Sequence, residues 1–113
     1  MNGVMDGATD GVAERGARQW WLATLGLTVI WAQLRVNDAG TAVVFDSDGN
    51  LLPYDSEDSA RAALMDAEFV ALDGLDEDEA GERGFSLEQL QPPQGDDDDA
   101  LRAQMVRKLP RLR

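Results

Sequence analysis

The sequence predicts an α+β domain: a small antiparallel sheet of three or four strands, wound as a β-meander, with one main helix packed on one face. Three features point there. Short β-branched and aromatic runs are separated by turn signals rich in Asn, Asp and Gly. A single amphipathic stretch follows them, and 113 residues with 43% apolar side chains suffice for one modest core.

The first 19 residues hold Gly3, Gly7, Gly11 and Gly16 among small and charged residues, with no periodic apolar pattern to bury, and are predicted to be disordered. A first strand is expected from Trp20 to Leu25. From Thr28 to Val36 the alternation sets Ile30, Ala32, Leu34 and Val36 on one face and Gln33 and Arg35 on the other, the pattern of a half-buried strand. Asn37-Asp38-Ala39-Gly40 suits a type I turn closed by a glycine in the left-handed region, and Thr41 to Phe45 returns as the next strand. Asp48-Gly49 signals a two-residue hairpin loop. Leu51 to Tyr54 then carries Pro53, which cannot donate to a ladder, so this strand belongs at an edge.

Asp55 or Ser56 caps a helix predicted over 56–69, with Glu57 and Asp58 at the positive end of its dipole. Ala62, Met65, Phe69 and Leu72 are its expected core face, with Arg61 and Asp66 in solvent. The acidic stretch 73–84 reads as a solvated loop or short helix. Ser86-Leu87-Glu88-Gln89 matches a capping box, and Pro92 and Pro93 close the domain expected over 20–93. Residues 94–113 read as an acidic linker, Asp96 to Asp99, followed by a basic amphipathic tail in which Leu101, Met105 and Leu109 recur every four residues beside Arg107 and Lys108.

Composition excludes much chemistry. There is no cysteine and no histidine, so disulfides, thiolate nucleophiles, imidazole bases and the usual zinc ligands are all missing. Acidic side chains outnumber basic ones 22 to 10, giving a net charge of -12. All 22 acids lie in residues 1–99, and five of the ten basic residues follow Ala100, so the two ends favour different partners. The acidic body is not expected to bind nucleic acid directly. The uncharged run from Gln19 to Leu34 is 16 residues long, short of the ~20 that cross a bilayer, and no basic stretch precedes it as in a secretory leader. No membrane contact and a cytoplasmic location are expected.

Asp46-Ser47-Asp48-Gly49-Asn50, with Glu57 at the twelfth position, resembles a calcium loop of the EF-hand family. The resemblance covers 12 residues, implies oxygen ligation of a hard cation, and departs from the pattern at Leu51, where the loop has glycine, and at the strand-like Ala42 to Phe45, where it has a helix. Weak calcium binding is therefore a second alternative. Catalysis is not expected, nor any cofactor; Glu68, beside Phe69, is the one acid placed to meet an apolar environment.

Two binding classes remain. In the first, the chain is a protein-interaction or regulatory module working through apolar or sheet-edge contacts. In the alternative, its acids imitate nucleic acid or block a basic site, as inhibitors and immunity proteins do. The expected contact residues are Trp20, Trp21 and Trp31 on the sheet and Leu101, Met105, Arg107, Lys108 and Leu109 in the tail. Because one helix covers only one sheet face, the other is expected to meet a second copy, making the chain a homodimer.

Overall fold

The computed structural model describes residues 18–110. The expectation of disorder at 1–17 lies outside them; residues 18 and 19 open the first strand. Six strands make one antiparallel sheet, two or three more than the sequence suggests: β1 (Arg18–Leu25), β2 (Thr28–Val36), β3 (Ala42–Phe45), β4 (Leu51–Tyr54), β5 (Val70–Ala71) and β6 (Val106–Lys108). Three helices accompany them, α1 (Glu57–Asp66), α2 (Glu77–Glu82) and α3 (Asp98–Arg102).

All of β1 pairs with Thr28 to Arg35 of β2 across the two-residue turn Gly26-Leu27, where only Gly26 takes a positive φ, 61°. The next two hairpins share one design. Gly40 (φ 92°) and Gly49 (φ 89°) each close a three-residue loop after a type I turn, with Gly40 N–H donating to Asn37 O and Gly49 N–H to Asp46 O. The second loop is thus one residue longer than Asp48-Gly49 alone implies.

The sheet runs β4-β3-β2-β1-β5, and β6 joins β2 beside β3. One edge of β2 is therefore divided between two short strands: Gln33 to Val36 pair with β3, and Thr28 to Ile30 pair with β6. Between them the Trp31 amide donates to Met105 O at 2.8 Å, so no β2 amide is left open at the join.

Each face has its own core. On one lie Trp21, Ala32, Leu34, Ala42 and Val44, covered by Ala60 and Leu64 of α1. On the other lie Leu22, Val29, Trp31 and Phe45, covered by Leu75, Ala80, Phe85, Leu90, Leu101 and Met105. This second layer corrects three expectations. The face expected to meet another subunit is closed by residues 72–109, which removes the premise of the homodimer. Gln33, expected in solvent, is 4% exposed. Residues 94–108, expected as linker and tail, are built into the fold.

The four-aspartate run begins a helix. Asp97 is its N-cap, accepting from the Ala100 amide at 2.8 Å, and Asp98 and Asp99 fill the first turn, where the dipole favours negative charge. Asp98 also bridges to Arg35 at 2.8 Å, and Arg35 lies over the Phe45 ring at 4.8 Å while its Nε donates to Gln33 Oε1. That small network fastens α3 to the centre of the sheet. Ser86 starts a single 3₁₀ turn, its amide donating to Gln89 Oε1 at 2.9 Å as the capping pattern anticipates.

Candidate functional site

Helix α1 sits in a different phase from the one its larger apolar residues suggest. Ala60 and Leu64 are buried, whereas Ala62 and Met65 face solvent, Met65 at 56% exposed. The inward stripe is Ala60, Ala63 and Leu64, its two alanines letting the helix settle closely over Trp21 and the β3 side of the sheet, while Ala67 is exposed at the helix end. Ser56 caps its start, accepting from the Ser59 amide at 3.1 Å.

Its end is set by two reciprocal bonds, from Phe69 N–H to Leu64 O and from Glu68 N–H to Met65 O, with Glu68 in the left-handed region at φ 68°. α2 ends in the same way, Phe85 N–H donating to Ala80 O and Gly84 N–H to Gly81 O, but with glycine at the left-handed position. At Glu68 the carboxylate is exposed, so it does not occupy an apolar environment. The cap turns Phe69 back toward the sheet.

That return closes one end of a cleft of about 220 Å³ between α1 and the β3–β4 hairpin. Ala32, Val44 and Leu64 form its floor, Leu52 and Tyr54 one wall, and Ala63, Ala67 and Phe69 the other. Leu52 belongs here because it stands opposite Val44 in the ladder, and as an edge residue it keeps 39% of its surface exposed.

Asp46 is the one charged residue in the lining. Its Oδ1 accepts from the Asp48 and Asn50 amides at 3.0 and 2.9 Å and its Oδ2 from Asn50 Nδ2, which fixes the carboxylate at the cleft end of the hairpin. The same bonds bear on the loop that resembles a calcium site. Asp46 organises its own turn, while Glu57, which would close a calcium loop, lies on α1 and accepts from Gln19 Nε2 at 2.7 Å. Among the described residues no group of three or more acidic side chains is arranged to hold a metal ion.

Other surface features are more committed or more open. Beside β1, Arg61 donates to Gln19 Oε1 at 2.9 Å, stacks on Trp21 at 5.1 Å and meets Glu57 at 3.7 Å, so its guanidinium holds the helix to the sheet. Asp76, Asp78, Glu79, Glu82 and Arg83 line a shallow depression on α2, where Asp76 caps the helix and Glu79 pairs with Arg83 at 3.5 Å.

The sequence-derived contact residues occupy other places. Trp21 and Trp31 are core residues, 2% and 1% exposed, on opposite faces; Trp20 is half-buried, edge-on to Trp31 at 5.9 Å. Leu101 and Met105 are buried at 6% and 0%. Leu109 is half-buried and donates its amide to Leu27 O, Arg107 is half-buried, and Lys108 is exposed in β6 opposite Thr28. Burial withdraws Trp21, Trp31, Leu101 and Met105 from any surface contact. The cleft was missed because its walls come from three separate segments; the only local signal is Leu52 and Tyr54 on an edge strand.

No protein-family model matches the chain, and no curated protein or solved structure matches it significantly. Among the described residues, no helix is long and apolar enough to cross a membrane.

Proposed function

We propose that this chain is a non-enzymatic protein-interaction module that engages its partner through the cleft between α1 and the β3–β4 hairpin. The observation carrying the proposal is that cleft: an apolar trough open to solvent on a molecule of net charge -12 whose sheet is otherwise covered on both faces. Its size matters. At about 220 Å³ it is smaller than the ~300–1,000 Å³ typical of cofactor and substrate pockets, yet larger than the ~150 Å³ cavity that holds benzene, so it suits one inserted side chain.

The second reading, an acidic face that imitates nucleic acid, draws on the carboxylates around α2. The two separate by mutation. In capture from a native extract, Leu52→Glu, which puts a charge in the cleft wall, is expected to lose the partner, while Asp78→Asn with Glu82→Gln keeps it. The reverse pattern would transfer recognition to α2, and retention of the partner by both variants would discard the cleft.

A further inference from the structure

We infer that the cleft takes a protein segment in which one leucine- or phenylalanine-sized side chain is flanked by lysine or arginine; this rests on the cleft being the contact site. The floor and walls offer an inserted side chain only apolar atoms apart from the Tyr54 hydroxyl and the Asp46 carboxylate. Burying such a side chain is the main favourable term available.

The charge around it is mainly acidic, the basic Arg102 side chain packing instead against Gly49 in the turn that Asp46 closes. Asp46 lies in the lining, Asp66 follows Ala63 by three residues on the same side of α1, and the exposed Glu68 follows Ala67 directly. No basic residue lines the cleft. Positive charges beside the anchor therefore gain attraction, and negative ones are repelled.

Strand addition is disfavoured as the docking mode. Asp46 N–H donates to Asn50 O, so the hydrogen-bonded pairs of the β3–β4 ladder fall at Val44–Leu52 and Ala42–Tyr54, and Pro53, opposite Val43, turns its nitrogen away from β3. The outer edge of β4 thus lacks a donor at the middle of its short length. What the partner inserts is a side chain, held by charge on either side.

Labelled peptides with one central leucine test this by fluorescence anisotropy on the full chain. Four are compared: leucine between two pairs of basic residues, the same peptide with alanine at the centre, leucine between serines, and leucine between glutamates. The basic leucine peptide is expected to bind most tightly, the alanine version at least tenfold more weakly, the serine version several-fold more weakly, and the glutamate version not at all. Raising salt should erase the advantage over serine, and Asp66→Asn with Glu68→Gln should reduce it several-fold. Equal binding of the basic and serine peptides would overturn the charge requirement and leave the cleft standing. Equal binding of leucine and alanine peptides, or undiminished binding to Leu52→Glu, would overturn the cleft itself, as would failure of every peptide to bind.

Discussion

The backbone amide of Trp31 donates to the carbonyl of Met105 at 2.8 Å, joining the middle of the central strand to the segment that ends the described chain. This bond sits at the gap between β3 and β6 and marks the C-terminal region as part of the sheet's second layer. Met105 is 0% exposed, so Met105→Ala leaves a cavity against Trp31 and its neighbours. Loss of ~2–5 kcal/mol is expected in urea unfolding. A loss under ~1 kcal/mol would show that this layer is not packed as described.

The Arg35–Asp98 pair is expected to couple modestly. Arg35 is 19% and Asp98 49% exposed at the side chain, which places the bridge near the surface range, about 0.5–1 kcal/mol in a double-mutant cycle and smaller at high salt. Arg35→Ala should cost more than Asp98→Ala, because it also removes the stacking on Phe45 and the bond to Gln33. Equal costs would mean that only the bridge matters.

Glu68 and Gly84 occupy the same position of the same helix-ending motif, and only one of them is glycine. A side chain there carries left-handed strain of ~1–2 kcal/mol. Glu68→Gly should therefore raise the thermal midpoint by a few degrees and Gly84→Ala lower it comparably. Opposite signs at the two sites are the test; if both substitutions destabilise, the Glu68 backbone strain is offset by contacts of its side chain.

Pro53 protects an edge. Pro53→Val restores a donor and a β-branched residue at the outward position of β4, next to Leu51 at 54% exposed. Sedimentation should show concentration-dependent association stronger than that of the parent chain. Unchanged behaviour would indicate that the edge is shielded by something other than proline.

The first half of the fold was legible because its signals are local. Alternation, turn residues and the position of Pro53 place four strands within a residue or two and put β4 at the edge. The face of α1 was not legible: Ala60 and Ala63 contribute little hydrophobic signal beside Met65, yet their small size is what brings the helix close. Residues beyond Leu72 were misread for a different reason. β5 and β6 are two and three residues long and exist only through pairing with distant strands, so no periodicity announces them. The Asp96 to Asp99 run contained an N-cap signal at Asp97 that its like charges obscured. Without that layer one face of the sheet would stand open and its tryptophans exposed; with it Trp31 is buried.

If the cleft beside α1 is the contact site, it accepts a small apolar guest. Titrating benzene into the labelled protein while following amide and methyl chemical shifts tests this without knowledge of any partner. Saturable shifts gathered on Ala32, Val44, Leu52, Ala63, Leu64 and Phe69, and abolished by Leu52→Glu, are the expected result. Shifts centred instead on Phe85, Leu90 and Met105, or none that saturate, would contradict it.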